Sequence, residues 1–409
     1  MTGSATTTTP TVSPTVSPTR ATGRRVVVVG AGVVGLGVAA EAHRRGHRVT
    51  VVEQASAVVG SSVQNFGHVC TTPQAGGARR YALAARERWL SLGSAAGFDV
   101  APVGTHVVAR TGAEQRLLGE LAAERGPDEV RLLDAAETRA AVPVRPGPVV
   151  GGAHLPLDLL VDPRAAAPAL ARWLESQGVA FRWRTAARAV APGRVETTRG
   201  VLEADVVVVA AHHDLDRLLP DLAEEIGLRR CRLHMLRVAP ASPVGLTTPL
   251  LTGWSMVRYA AFAACPSAPD VAAELAAADP AGAAWDVNLM ATPQGSTLIL
   301  GDTHRRADDA PVFQDEEGFD VLLRLGRDLF RDDLLGPDPR VVERWQGTYA
   351  TAPGREFLVA EPAPGVHVAT VTTGIGMTTG LGLAVDVLDR AERSAPTLTT
   401  SSTDRKDPS

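Results

Sequence analysis

The chain has 409 residues, 45% of them apolar and 21% charged, with a net charge of −4. That length exceeds what one hydrophobic core serves and points to two domains; the slight acidity gives no reason to expect nucleic acid or an anionic membrane as partner. Cys70, Cys231 and Cys265 are scattered and form no C-x-x-C pair, which argues against a zinc site or disulfide framework and for a reducing, cytoplasmic setting. No metal is expected. Residues 1–23 are Thr-, Pro- and Ser-rich without an apolar stretch, so a disordered tail is expected rather than a signal or anchor. No apolar run approaches the roughly 20 residues needed to cross a bilayer.

Residues 24–53 carry the most informative pattern. The valines at 26–29 read as a buried parallel strand. Gly30, Gly32 and Gly35 follow in G-x-G-x-x-G spacing, and residues 33–45 fit a helix. Gly30 permits the tight turn, Gly32 admits a pyrophosphate close to the backbone, and Gly35 lets the helix pack near the strand. The helix N-terminus offers N–H groups and positive dipole to the phosphates. Glu53 ends the next apolar strand, residues 49–52, about twenty residues on, where a carboxylate can accept both ribose hydroxyls. These elements together predict an adenine dinucleotide site.

A loop over 54–60 then leads to Ser61-Ser62-Val63-Gln64-Asn65-Phe66-Gly67-His68. Residues 77–97 show an Ala-rich helical pattern, 99–110 alternate like a strand, and 113–125 and 134–141 read as short helices. Residues 149–154 are strand-like, and Asp162-Pro163 opens a helix to about 178 with Asp162 as N-cap. Residues 181–184 form the next strand, and 204–211 (ADVVVVAA) the second buried parallel run. From 229 to about 340, strand-like pieces at 232–239, 254–260, 287–292 and 297–301, with a helix near 318–330, read as an antiparallel sheet with helices on one side. A strand at 366–371, then Gly374-Ile375-Gly376 and a helix from 377 to about 391, return to α/β. The expected fold class is therefore α/β, with a discontinuous Rossmann-like domain (24–98, 155–228, 341–393) and an inserted antiparallel-sheet domain (99–154, 229–340). Residues 394–409 are expected to be a second disordered tail.

This order of pieces resembles the FAD-dependent oxidoreductases of the D-amino-acid oxidase and glycine oxidase superfamily over residues 24–393. The anchors are VVVVGAGVVGLG and VTVVE within 26–53, GSSVQNFG at 60–67, ADVVVVAA at 204–211, GDTH at 301–304, ERWQGTYATAPG at 343–354 and TTGIGMTTGLGLA at 372–384. Asn65–Gly67, LLTGWSMVRYAAFAACP at 250–266 and the two late motifs look like one bacterial subgroup, proposed to oxidise aminophosphonates related to 2-aminoethylphosphonate.

The resemblance implies FAD rather than NAD, two cofactors that the glycine fingerprint alone does not separate. It assigns Gly30, Gly32 and Gly35, with Val33 and Val34, to the pyrophosphate end, and Glu53 with Gln54 to the adenosine. Ser61, Ser62, Asn65, Phe66 and Gly67 would line the flavin end. Gly374, Ile375, Gly376, Met377 and Thr378 match the loop facing the flavin pyrimidine, where a helix N-terminus stabilises the negative charge of the reduced ring.

The implied reaction moves a hydride from the carbon bearing nitrogen to flavin N5, with oxygen or another acceptor regenerating the cofactor. An anionic head group on a small amine substrate suits a guanidinium. Arg258, beside Tyr259 on an expected strand of the inserted sheet, is the leading candidate; Arg232 and Arg237 are weaker ones. His304, closing a strand, would lie near the flavin or the substrate amine, and His68 is similarly placed. Trp345, Gln346 and Tyr349 would pack around the site. Where amino-acid oxidases of the superfamily often carry Arg-Pro after W-x-G, this chain has Thr348-Tyr349-Ala350, which disfavours an ordinary α-amino acid. No cysteine falls where sarcosine oxidase-like members attach flavin, so non-covalent FAD is expected. Oxidation of a small amino acid such as glycine or sarcosine is the alternative.

Overall fold

The computed structural model describes residues 23–310, 313–336 and 338–394. The two expected tails lie outside these residues, apart from Gly23 and Ser394. The valine runs form the centre of a six-stranded sheet in the order Phe357–Ala363, Val366–Val371, Val206–Val209, Arg25–Val29, Arg48–Val52, Ala180–Arg182. All pairings are parallel except the first. Val26, Val28, Val206 and Val208 face a core built with Leu36 and Val38 of the helix Val33–Arg44 and with Leu383 and Val387 of the helix Gly376–Ser394. Val27, Val29, Val207 and Val209 point the other way, toward Val195 of a small antiparallel sheet. A strand buried on both faces needs no alternation, which is why a solid apolar run marks it.

The second large sheet has nine strands and draws on residues 105–155, 229–307 and 340–351. It is antiparallel except where Leu250–Leu251 runs parallel to Thr105–Ala109. Thus the discontinuous parallel layer and the inserted, largely antiparallel layer expected from the sequence are both present.

Three local expectations are corrected. Residues 99–110 are not one strand: the chain turns at Gly104 (φ 71°), so Val100–Ala101 pairs with Leu159–Val161 while Thr105–Ala109 enters the nine-stranded sheet. Residues 254–260 are not a strand either. Gly253–Met256 and Ala260–Ala263 are single helical turns, the first opened by a Thr252/Ser255 capping box. The Thr252 and Ser255 hydroxyls both donate to Leu289 O, so local side-chain bonds override aromatic and β-branched propensity there. Finally, Arg340–Thr351, assigned to the nucleotide-binding residues from sequence, pairs along its length with Arg229–Ala239 in the nine-stranded sheet.

Two glycines hold the nucleotide-type turn. Gly30 has φ 108°, and a Cβ there would sit 2.6 Å from Ala210 O. A Cβ on Gly35 would sit 2.0 Å from Gly30 O, so the helix reaches the turn only because that side chain is absent. Gly35→Ala should therefore lower unfolding stability by about 1–3 kcal/mol, the usual range for overpacking; urea denaturation at an unchanged midpoint would contradict this contact.

Candidate active site

A cavity of about 390 Å³ opens at the carboxyl ends of the parallel strands, touching Val29, Val52, Ala210 and Val371. This is where open α/β sheets bind ligands. Gly30, Gly32, Val33 and Val34 line one wall, Glu53 and Gln54 a second, Ser61, Ser62 and Asn65 a third, and Gly374, Gly376 and Met377 a fourth. Segments separated by more than 300 residues thus meet around one space.

The wall is pre-set by hydrogen bonds. Glu53 Oε2 accepts the Ala31 N–H at 2.9 Å and Oε1 accepts the Ala55 N–H at 2.8 Å, so the carboxylate is fixed at the strand end. Ser62 Oγ accepts the Val33 N–H at 2.9 Å, capping the first helix from a distant loop. Asn65 donates to Ser61 O and accepts from Gly67 N–H, which closes its own turn.

Gly35, Phe66, Gly67, Ile375 and Thr378 stand behind the lining rather than in it. Gly35 abuts Gly30, Phe66 packs in the core of the nine-stranded sheet, and Ile375 packs against the parallel-sheet core. Gly67 has φ 71° beside Val161 O, and Thr378 Oγ1 accepts the Cys70 N–H at 3.1 Å.

The segment after Val206–Val209 was missed. His212, His213, Asp214 and Arg217 line the cavity; the available signal was their place just past a parallel strand, like Gly30 and Glu53. His212 has φ 56°, and its Nε2 accepts the Ala350 N–H at 3.0 Å. The ring proton is therefore on Nδ1, which faces Ser61 Oγ at 3.3 Å and His213 Nδ1 at 3.2 Å. Gln54 Nε2 donates to Asp214 Oδ2 at 3.0 Å, joining two more residues of the lining.

Arg258, Tyr259 and His304 do not line this cavity. They lie in a polar cluster one ring behind it, where Tyr349, itself in the lining, has its ring centroid 6.1 Å from that of His304. Arg258 follows a helical turn rather than sitting on a strand, and its guanidinium pairs closely with the Asp286 carboxylate. Arg306 Nη1 reaches the same carboxylate at 2.8 Å, and His304 Nδ1 donates to Asp286 O at 2.9 Å. Burial opposes the Asp286 charge, yet Arg258 and Arg306 hold its carboxyl below the ordinary value. Burial, with Arg258 nearby, drives His304 well below the usual histidine range. Burial pushes Asp302 up to about 7 against the pull of Arg258.

The weaker candidates serve elsewhere. Arg237 Nε lies 3.6 Å from Glu343 Oε2, and neither Arg232 nor Arg237 lines the cavity. His68 Nε2 sits 2.6 Å from Thr105 Oγ1 and 3.4 Å from Asp158 Oδ2, while Asp158 Oδ1 accepts the Thr71 and Thr72 N–H groups. His68, Cys70 and Asp158 bring N, S and O atoms within 4.8 Å of one another, a grouping that the cysteine spacing did not suggest. Trp345 Nε1 donates to Gln64 O and Gln346 meets His234, whereas Tyr349 alone of the three expected packing residues lines the cavity.

Burial lowers His212 to about 3. Between the ordinary value of ~6.5 and that point, the unfolded chain binds a proton that the folded chain refuses, so stability falls as pH drops through this window. His212→Asn, whose side chain tolerates left-handed backbone, should lose stability less steeply between pH 7.5 and pH 4.5 than wild type in parallel urea titrations. An identical slope would remove His212 from the account.

The cavity fits an adenine dinucleotide on its own geometry: the glycine turn leaves no room for a Cβ at Gly30, a helix begins beside it, and the Glu53 carboxylate is anchored to the same turn. The profile of the family described as FAD dependent oxidoreductase matches residues 25–390. No match is found among curated proteins. Among solved structures, glycine oxidase from Geobacillus kaustophilus is similar at 20% identity, with 91% of this chain and 96% of that one covered and a TM-score of 0.73. Iminodiacetate oxidase from Chelativorans sp. BNC1 is similar at 18% identity, 91% and 96% coverage and a TM-score of 0.67. The dithionite-reduced L-alpha-glycerophosphate oxidase from Mycoplasma pneumoniae with FAD bound is similar at 18% identity, 91% and 94% coverage and a TM-score of 0.68. A parallel-sheet cavity built from these motifs and a family match spanning nearly the whole chain lead to one conclusion: this protein belongs to the DAO family of FAD-dependent oxidoreductases.

Proposed function

We propose that this enzyme oxidises a small amine carrying an anionic group, and that the substrate class is an aminophosphonate related to 2-aminoethylphosphonate. The observation that carries this reading is the Arg258–Asp286–Arg306 cluster beside the cavity. Two guanidiniums share one carboxylate in a region where Arg258 is largely buried. A planar guanidinium there can pair with a phosphonate or carboxylate by two parallel N–H···O bonds. The Thr348-Tyr349-Ala350 stretch, in place of an Arg-Pro pair, supports an anion other than an α-carboxylate. The substrates named for the similar glycine, iminodiacetate and glycerophosphate oxidases are likewise small and carry a carboxylate or phosphate.

FAD, when bound, accepts the hydride that leaves the carbon bearing nitrogen. The chain's own part is positioning: Arg258 holds the anionic end, and Tyr349, which lines the cavity, stands beside His304. Thr378 and Met377, at the start of the helix Gly376–Ser394, set that helix end against the cavity, where its positive pole favours developing negative charge. Oxygen or another acceptor completes the cycle. Oxidation of glycine or sarcosine is the second reading, favoured by the likeness to glycine oxidase.

A panel of amines scored for anaerobic bleaching of the flavin separates the two. The aminophosphonate should bleach faster at low concentration than glycine or sarcosine, and Arg258→Ala should raise its KM at least tenfold with a much smaller change in kcat. Equal rates with an uncharged amine would defeat the head-group assignment. The flavin is held non-covalently in this reading, so acid denaturation should release it to the supernatant; colour retained on the precipitated chain would show otherwise.

A further inference from the structure

The buried cluster contains two hydrogen-bond acceptors that face each other. His304 Nδ1 lies 2.9 Å from the Asp286 carbonyl oxygen, which can only accept, so the ring proton is on Nδ1 and Nε2 presents a lone pair. That lone pair faces Asp302 Oδ2 at 3.7 Å, beyond hydrogen-bond length. Asp302 Oδ1 is buried without a partner, and the two residues are 4% and 7% exposed. Facing acceptors in a dry interior are costly unless a donor comes to them. The neighbouring cations, Arg258 and Arg306, each direct a guanidinium N–H to Asp286 instead.

We propose that Asp302 and His304 form the seat of the substrate's amino group, each accepting an N–H, while Arg258 takes the anionic end. This rests on the amine oxidation proposed above and adds a residue, Asp302, to it. Before oxidation the Asp302 carboxylate takes a proton from the substrate ammonium: the N–H bond breaks, an O–H bond forms, and the electron pair stays on nitrogen. That pair is what loss of hydride from the adjacent carbon requires.

The surroundings suit this role. The backbone of Asp302 is locked by reciprocal bonds to Asn288, donating at 2.6 Å and accepting at 2.8 Å, which aims the side chain. Burial raises its carboxyl to about 7, with Arg258 and Asn288 pulling down and Asp286 pushing up, so it can exchange a proton near neutrality. Tyr259, Tyr349 and Cys231, the other titratable groups against it, are pushed up by burial and stay protonated. Arg306, also close by, stays charged and is engaged by Asp286.

The test uses the FAD-loaded enzyme and two ligands, 2-aminoethylphosphonate and ethylphosphonate, which lacks the nitrogen. Asp302→Asn keeps the size but cannot take the proton. Calorimetry should show at least a tenfold loss of affinity for the amine and less than a twofold change for ethylphosphonate. Stopped-flow flavin reduction should slow at least 100-fold and lose its inflection near pH 7. His304→Gln, which keeps an acceptor, should retain more amine affinity than His304→Leu, and this pair carries the test if Asp302→Asn fails to fold. Amine affinity and reduction within twofold of wild type, or equal losses for both ligands, would overturn the seat. If wild type is reduced only by uncharged amines, the anionic reading falls by itself, and the same Asp302→Asn comparison with those amines decides the seat.

Discussion

The contact between Gly35 and Gly30 is the constraint from which the site follows. A backbone hydrogen-to-carbonyl approach that no side chain could survive brings the helix Val33–Arg44 onto the turn after Arg25–Val29. Only with the helix seated there does its N-terminus reach the cavity and Ser62 reach Val33 N–H. Glu53, tied to Ala31 N–H in the same turn, is then held at a fixed place in the lining. The turn, the cap and the carboxylate are one unit, and each would lose its aim without the others.

A second constraint joins this unit to the inserted sheet. Arg340–Thr351 runs antiparallel to Arg229–Ala239 and carries Gly347, Thr348 and Tyr349 into the cavity wall. His212 accepts Ala350 N–H from that strand while facing Ser61 of the nucleotide-side loop, so one neutral imidazole bridges both layers. Its neutrality is itself a product of burial. The layers are therefore held together by polar contacts at the cavity floor as well as by apolar packing.

The charge arrangement behind Tyr349 follows the same logic of compensation. Asp286 is only tolerable beside Arg258 and Arg306; burial and those two cations keep His304 neutral against the pull of the Asp286 carboxylate, while the Asp286 carbonyl orients the ring. A histidine held this way presents one acceptor and no charge. Asp302, deeper still, has the backbone of a strand end and the solvation of a core residue.

What the amino-acid order determined by itself was the parallel layer, because strands buried on both faces leave unbroken valine runs and glycine spacing is dictated by backbone clearance. Gly30, Gly32, Glu53, Ser61, Ser62, Asn65, Gly374, Gly376 and Met377 were legible for that reason: each belongs to a local motif with its own steric logic. The inserted sheet was legible as a class but not in its register. Residues 254–260 looked extended until Thr252 and Ser255 found Leu289 O, a partner more than 30 positions away. Arg340–Thr351 joined the sheet it did because Arg229–Ala239 offered a matching edge. His212 gained its bridging contact, and Asp302 its raised carboxyl, only through burial and distant neighbours, Ala350 and Asp286 among them, and no local pattern encodes the solvation of a side chain. Tertiary structure alone decided those, since hydrogen-bond partners and desolvation exist only once remote segments have met.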